Sequence, residues 1–310
     1  MVDRRALVGA LFSAPFIARP SAAQTSAFVS TRLTPFVDSI APPAAKTPVT
    51  IASRNIANLN ARLGALGQSP IDPGRFEKYD SYPAAKFYDM NVGYVDAYLH
   101  SDLQRLGYAK SKLFAYGGSV PGPLLNLKYG EPVLVRWRNT FSPDVTHTGF
   151  GVPKTAIHLH NMHAPSISDG YPEHFVSPGE TLDYHWPMMK AGNDPLEALG
   201  SLWYHDHMID FTAPNVTRGL FGPVKCFDDL DTGVETTGLC LPAGASGQYD
   251  IPLFFHDPLL NAEGQVDFDQ TDMDGVLGNT FAVNGKITPF LTVEPRKYRF
   301  RLYTPGPTRV

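Results

Sequence analysis

The sequence is poor in cysteine and in net charge, and it has no long apolar run. Its 310 residues include only two cysteines, with 26 basic and 30 acidic side chains. No uninterrupted apolar stretch approaches the roughly 18 residues that a membrane-spanning helix needs, so we expect no membrane span. A formal net charge of −4 offers no basic surface to a nucleic acid. These absences argue against a membrane-spanning helix and against nucleic-acid binding.

Two common metal-site signatures are also missing. The chain has no Cys-x-x-Cys, which would indicate structural zinc, and no His-Glu-x-x-His, which marks a metalloprotease. In an oxidising compartment, Cys226 and Cys240 could form a disulfide that closes a loop of about 15 residues and stabilises the fold by roughly 3 kcal/mol. The alternative is that both thiols stay free, and the sequence alone does not decide between them.

Glycine and proline, by contrast, are frequent, at 27 and 28 residues. From Lys86 onward, runs of aromatic and β-branched residues alternate with turn signals, which predicts short strands. The run VLVRWRN at residues 133–139 places Val133, Val135 and Trp137 on one face of such a strand. A series of strands at this spacing predicts a β-sandwich or barrel rather than a βαβ sheet.

The first residues have the layout of an export signal. Paired arginines at positions 4 and 5, an apolar stretch over residues 6–18 and small residues before Gln24 predict a signal peptide over residues 1–23. Paired arginines are also found in signals of the twin-arginine route. We therefore expect an exported protein, periplasmic or extracellular. The alternative is a short buried amphipathic helix.

The remaining chain divides into three predicted segments. Residues 24–85 are expected to form an extended, proline-dotted arm over the surface, with one or two helical turns. Residues 86–229 form a first β-domain. Residues 230–310 contain a linker and the opening of a second β-domain, in which Asn284-Gly285 signals a tight hairpin. This second domain is expected to be incomplete at Val310, because it has too few strands to close a core.

Two His-x-His pairs carry the clearest chemical signal. His158 and His160 lie in TAIHLHN, and His205 and His207 lie in GSLWYHDHM. On a strand, residues i and i+2 point to one face, so each pair directs two imidazoles at one point. If the two strands are neighbours, four nitrogens converge, and an all-imidazole site favours copper, with zinc second. The alternative is that these histidines alternate by chance.

Other residues near the pairs are expected to have structural roles. Trp203 and Tyr204 are expected to pack around the second pair, keeping it rigid and limiting solvent. Gly219 and Gly222 are expected to be backbone or close-packing positions. The remaining histidines are expected to be ordinary polar residues: His100, His147, His163, His174, His185 and His256.

The motifs HLHN, SDGYPE, GSLWYHDH and NVTRGLFG, in this order, resemble the first cupredoxin domain of multicopper oxidases, closest to bacterial spore-coat laccases and bilirubin-oxidase-like enzymes. YGGSVPGPLLNLKYGEPVLVRWRN resembles an early strand pair of that family, and VNGKITPFLTVEPRKYRFRL resembles the start of its second domain. The likeness covers about residues 86–304. It implies an all-β chain: a cupredoxin-like Greek-key β-sandwich followed by the incomplete start of a second cupredoxin domain.

The resemblance also implies a function. The family couples one-electron oxidation of phenol-like, bilin or metal-ion substrates to reduction of dioxygen to water at a trinuclear copper cluster. By resemblance, His158 would bind the lone type-2 copper, and His160, His205 and His207 would bind the paired type-3 coppers, which makes half of the cluster. Asp206 is similar to an acidic residue that lines a water channel in relatives, and it is a candidate catalytic residue for proton delivery.

The sequence departs from the family pattern in what it lacks. The last domain of the family carries two further His-x-His motifs, one of them His-Cys-His, and neither occurs here. We therefore expect the chain alone to be catalytically incomplete, with the missing C-terminal cupredoxin domain, dioxygen and a small reducing substrate as its partners. A non-enzymatic exported scaffold and a copper-binding module remain alternatives. Asn161 replaces a glycine common in relatives and puts the local turn in doubt.

Overall fold

The structure is a computed structural model that describes residues 32–50, 55–142, 149–269, 271 and 275–307. The export signal predicted at residues 1–23 lies outside the described residues. So does His147, which was expected to be an ordinary polar residue. Within the described part of the chain, none of the helices has both the length and the apolar character needed to cross a bilayer.

The described chain consists mainly of short strands, as the many glycines and prolines predict. Its α-helices are α1 (Ile56–Ala65), α2 (Ser101–Arg105) and α3 (Thr212–Thr217). Its strands are β1 (Val49–Thr50), β2 (Lys86–Ala97), β3 (Ser111–Tyr116), β4 (Leu125–Lys128), β5 (Val133–Asn139), β6 (Ile157–His160), β7 (Thr181–Trp186), β8 (Ser201–Asp206), β9 (Phe221–Phe227), β10 (Asp250–His256), β11 (Leu259–Leu260), β12 (Val266–Asp267), β13 (Ala282–Val283), β14 (Lys286–Ile287) and β15 (Arg299–Tyr303).

Two sheets pack face to face and enclose the main core. The first sheet has the order β1-β2-β5-β7, with β3 paired to β2, and the second has the order β4-β9-β8-β6. The inward side chains of β5, Val133, Val135 and Trp137, are fully buried between the sheets, beside Trp186 and Tyr204. The predicted alternation in β5 is therefore confirmed, and so is the predicted sandwich.

The opposite face of β5 is covered by the segment that connects β1 to β2. Leu134 packs in a second apolar cluster with Leu59 and Leu63, which lie four residues apart on α1. Asn55 caps this helix, because its side-chain oxygen accepts a hydrogen bond from the backbone of Asn58 at 2.8 Å. The helical turns expected within residues 24–85 are present as this ten-residue helix, which is somewhat longer than one or two turns and is docked by its own buried side chains.

The strands after residue 249 form a third sheet with the order β14-β13-β10-β15. The predicted hairpin is present between β13 and β14. Asn284 and Gly285 have φ values of 48° and 77°, and a two-residue turn of this kind needs positive φ at both positions. The division into domains at residue 230 remains a prediction.

Candidate metal centre

The histidine pairs lie on adjacent strands. β6 and β8 are antiparallel neighbours, and their register places His158 opposite His205 and His160 opposite Trp203. Because directly opposed residues share a face of the sheet, all of these side chains project from the same side. The predicted adjacency of the two strands is confirmed.

The imidazole rings form one cluster. The ring centroid of His158 lies 5.5 Å from that of His160, 5.4 Å from that of His205 and 5.1 Å from that of His207. His207 follows the end of β8, and its backbone N–H donates to the carbonyl of Ala156 at 2.6 Å, which holds it beside the strand pair. The structure therefore brings together all four histidines that the sequence singled out.

Backbone carbonyls fix which ring nitrogens can bind a metal. Nδ1 of His205 lies 2.7 Å from the carbonyl oxygen of Asp206, and Nδ1 of His158 lies 2.6 Å from that of Asp169. A carbonyl oxygen only accepts, so both Nδ1 atoms carry the hydrogen and both Nε2 atoms keep a free lone pair. Hydrogen bonds on the far side of a ligating imidazole are typical of metal sites.

The donor set fits copper. One ring nitrogen from each of His158, His160 and His205 lies within 4.8 Å of the other two. His160 Nδ1 and His205 Nε2 are 3.2 Å apart, and two nitrogens each about 2.0–2.1 Å from one tetrahedral metal would be separated by roughly 3.3 Å. Nδ1 of His207 is buried and has no hydrogen-bond partner among the described residues, which leaves it as a further donor. Imidazole nitrogens suit copper and zinc.

Burial keeps most of these imidazoles neutral, which is the form that binds a metal. Burial lowers the pKa of His205 to about 3. Burial also lowers the pKa of His160 and of His207, and the neighbouring His158 ring lowers both further. His158 differs: burial lowers its pKa, but its contacts with the carboxylate and the carbonyl oxygen of Asp169 outweigh burial and raise the pKa overall. His158 is therefore the ligand candidate that takes up a proton first as the pH falls.

Asp169 is a site residue that sequence reasoning did not assign. Besides the carbonyl contact, its carboxylate Oδ1 lies 3.3 Å from His158 Nδ1. The adjacent Gly170 has a φ of 78°, and a Cβ there would lie 2.5 Å from the carbonyl oxygen of Ile157, so the loop packs directly on the backbone of β6. The SDGYPE motif signalled the loop, but the contact depends on how the loop folds back.

Asp206, the predicted proton-delivery residue, is fully buried. Its carboxylate accepts hydrogen bonds from the backbone of Ala156 at 3.1 Å, the backbone of Met208 at 3.2 Å and the side chain of Asn215 at 3.1 Å. Burial raises the pKa of Asp206 to about 7. These contacts hold the chain on both sides of His207 in place, and the catalytic role stays a prediction.

The structure explains the small residues near the site. Asn161 has a φ of 70°, a left-handed conformation that asparagine tolerates better than most residues, so the turn after β6 forms without glycine. A Cβ on Gly222 would lie 2.2 Å from the ring of Tyr204, and one on Gly219 would lie 2.4 Å from the carbonyl of Phe114. Both glycines are close-packing positions, as expected.

The remaining candidates lie outside the cluster. His163 is exposed beside Glu197, at 3.4 Å, and His185 is bonded to the carbonyl of Tyr82. Cys226 is buried and Cys240 is exposed, and both are free thiols, so they do not form a disulfide here. Burial raises the pKa of the Cys226 thiol to about 12, which makes it a poor metal ligand.

Known proteins match the chain in sequence. Residues 99–229 match the family model described as multicopper oxidase. The chain is 32% identical over 256 residues to a laccase of Bacillus subtilis (strain 168), covering 72% of this chain and 46% of the laccase. It is 30% identical over 208 residues to a bilirubin oxidase of Albifimbria verrucaria, covering 67% of this chain and 32% of that enzyme. The chain spans about half the length of the Bacillus laccases it matches.

Solved structures share the fold. The multicopper oxidase McoA from the hyperthermophile Aquifex aeolicus matches with a TM-score of 0.55 and 23% identity, covering 73% of this chain and 44% of that one. A multicopper oxidase from Campylobacter jejuni, described as a metallo-oxidase, matches with a TM-score of 0.59 and 16% identity, covering 91% of this chain and 47% of that one. The likeness confirms the expected all-β, cupredoxin-like fold class.

Proposed function

This chain belongs to the multicopper oxidase family, which uses copper, and we propose that it supplies one side of the copper centre at which such an enzyme reduces dioxygen to water. The observation that carries the proposal is the convergence of ring nitrogens from His158, His160 and His205 within 4.8 Å. The reducing substrate is proposed to be a phenol-like compound, a bilin or a metal ion. Export to the periplasm or the exterior is part of the same proposal.

The ligands are proposed to be divided between metals. His160 and His205 present nitrogens 3.2 Å apart, a spacing that suits two ligands of one copper. Family resemblance adds His207 to this type-3 group and gives His158 to the type-2 copper. Bound copper would supply one-electron redox chemistry and a Lewis-acid site for dioxygen.

Residues of this chain orient the imidazoles in advance of metal binding. Asp169 and the carbonyl of Asp206 orient two imidazoles through Nδ1, so little side-chain freedom remains to be lost when a metal binds. The indole of Trp203 lies flat against His205 and limits solvent on that side. The buried carboxylate of Asp206 is proposed to pass protons towards the site, as the sequence predicted.

The other ligands are proposed to come from outside this sequence. No His-Cys-His occurs in the 310 residues, so the mononuclear copper that accepts electrons from the reducing substrate is proposed to lie in a further cupredoxin domain. The imidazoles described here would then face that domain across the cluster. On this proposal, the chain alone binds copper but does not turn over dioxygen.

Copper titration by equilibrium dialysis tests the proposal. The purified chain should bind Cu(II), His205→Ala should bind it at least 10-fold more weakly, and His163→Ala should match the unsubstituted chain because His163 lies outside the cluster. No binding by any of the three would leave the non-enzymatic scaffold. Dioxygen consumption with a phenolic donor should be absent, and a copper-dependent rate would contradict the proposed incompleteness.

A further inference from the structure

Trp203 occupies a position that the strand register fixes. It precedes His205 by two residues on β8, so the two side chains share a face, and it lies directly opposite His160 on β6. A single indole at this position can therefore contact one imidazole along its own strand and another across the strand pair.

The ring contacts show both interactions. The ring of Trp203 stacks on His205 with centroids 4.2 Å apart and planes at 29°, and on His160 with centroids 5.3 Å apart and planes at 29°. The same two imidazoles present the nitrogens that lie 3.2 Å apart. One flat surface therefore backs both rings of the proposed ligand pair.

Core packing alone does not explain this tryptophan. Trp137 and Trp186 are fully buried between the two sheets, whereas Trp203 is only partly buried. Of the tryptophan rings, it is Trp203 that stacks on the clustered imidazoles. The indole thus lies between the imidazoles and the third sheet rather than inside the sandwich.

The third sheet supports the indole from behind. Phe254 on β10 is fully buried, and its ring lies 6.3 Å from that of Trp203, with planes at 60°. Phe254 is itself fixed by stacking on Tyr303 at 4.6 Å and by contact with Phe221 at 4.9 Å. A continuous series of ring contacts therefore runs from β15 to the imidazole of His205.

We propose that Trp203 is a positioning residue for the copper site, and that Phe254 transmits this constraint from the third sheet. The indole restricts the ring orientations of His160 and His205, so their nitrogens stay face to face before any metal arrives. This inference rests on the proposed copper function, which it deepens. Loss of the stack should lower copper affinity by about 10-fold, at the lower end of the effect of removing groups that orient metal ligands.

The test begins with the metal-free chain, where side-chain order of the imidazoles is measured by NMR relaxation of isotope-labelled histidine rings. Trp203→Leu fills space without offering a flat ring, and it should increase the motion of His160 and His205. Trp203→Phe should restore the order, since phenylalanine can stack. Unchanged ring order in Trp203→Leu would overturn the inference.

A second pair of variants tests whether Phe254 constrains the imidazoles through Trp203. These variants still test the inference if Trp203→Leu fails to fold. Phe254→Leu should loosen the same two imidazoles although Trp203 is still present. Phe255→Leu is the matched control, because Phe255 neighbours Phe254 on β10 and is 41% exposed. Equal ring order in both variants would contradict transmission from the third sheet.

Copper titration of the same variants separates this inference from the proposed function. A drop of about 10-fold in Cu(II) affinity for Trp203→Leu, with recovery in Trp203→Phe, supports both. Unchanged affinity in Trp203→Leu together with loss in His205→Ala keeps the copper site and refutes the positioning role. If the unsubstituted chain binds no Cu(II), the proposed function fails, and the metal-free ring order still decides whether Trp203 positions the imidazoles.

Discussion

Nδ1 of His160 lies 3.2 Å from Nε2 of His205, across two neighbouring strands and 45 residues of sequence. The contact arises from the register of β6 and β8, which places both rings on one face, and from the carbonyl of Asp206, which holds the Nδ1 hydrogen of His205. The Nε2 lone pair of His205 is consequently directed at its neighbour. The arrangement suits a shared metal, and several consequences can be measured.

Replacing Asp169 should change the pH dependence of copper binding, because protons compete with copper for His158. Asp169 raises the pKa of His158, and only neutral imidazole binds the metal, so affinity should fall as the pH drops through this raised pKa. Asp169→Asn removes the charge but can keep the carbonyl contact, so the pKa of His158 should fall and the loss of affinity should shift to lower pH. Affinity measured against pH checks this, and a shift towards higher pH would contradict it.

The metal-free chain should lose stability in mild acid through His205. The pKa of His205 is about 3 in the folded chain and 6.5 in the unfolded chain. Between pH 6.5 and pH 3, the unfolded chain therefore binds a proton at this residue and the folded chain does not. The free energy of unfolding should therefore fall by roughly 1.6 kcal/mol between pH 6.5 and 5 from this residue alone, because the slope rises from half to nearly all of about 1.4 kcal/mol per pH unit over that interval.

Denaturant unfolding at both pH values measures this loss. His205→Gln should flatten the acid branch of the stability curve, whereas the exposed control His163→Gln should keep it. An equally steep acid branch in His205→Gln would show that other groups cause the loss.

Gly170→Ala should destabilise the chain more than Gly179→Ala does. Both glycines have positive φ, at 78° and 85°, so both variants carry the conformational cost of roughly 1–2 kcal/mol that an L-residue has in the left-handed region. Only at Gly170 would the new Cβ meet backbone, at 2.5 Å from the carbonyl oxygen of Ile157, and nothing lies within 4 Å of the Cβ at Gly179. An extra loss of roughly 2 kcal/mol is expected for Gly170→Ala from overpacking. Equal losses in thermal or denaturant unfolding would contradict this contact.

Removing the charge of Asp250 should weaken the pairing of β10 with β15 in the third sheet. Asp250 forms two hydrogen bonds of 2.7 Å with Arg301, and the side chains are 2% and 1% exposed. Asp250→Asn removes the nearer counter-charge of the buried guanidinium and leaves only Asp231, at 3.8 Å, so a loss of about 3 kcal/mol in unfolding free energy is expected. Asp229→Asn, whose side chain is 97% exposed in its pair with Lys128, should change little. Similar losses in both would refute the role of the buried pair.

Much of the site followed from local patterns in the sequence. Alternation predicted β5, and spacing by two residues predicted that each His-x-His pair shares a face. Asn284-Gly285 predicted a hairpin because this turn depends only on the positive φ of its two central residues. Each of these features depends on neighbours a few residues away.

What the sequence did not reveal depends on distant contacts. The role of Asp169 requires its loop to fold back onto β6, and the stacking of Trp203 on His160 requires the register of two strands 45 residues apart. The sequence predicted helical turns in the segment of α1, but it did not show that Leu59 and Leu63 would be buried against Leu134 on β5. Whether Cys226 and Cys240 pair likewise depends on where the fold places each of them, and the structure has both as free thiols.

The central claim, that β6 and β8 bring imidazoles together to hold copper, is tested most directly by pulsed EPR of the purified chain loaded with one equivalent of Cu(II). The spectrum should contain modulation from more than one coordinated imidazole, and it should be unchanged in His163→Ala. In the double variant His160→Ala/His205→Ala, which keeps His158 and His207, the number of coordinated imidazoles should fall. An identical spectrum in the double variant, or a single imidazole in the unsubstituted chain, would contradict the claim.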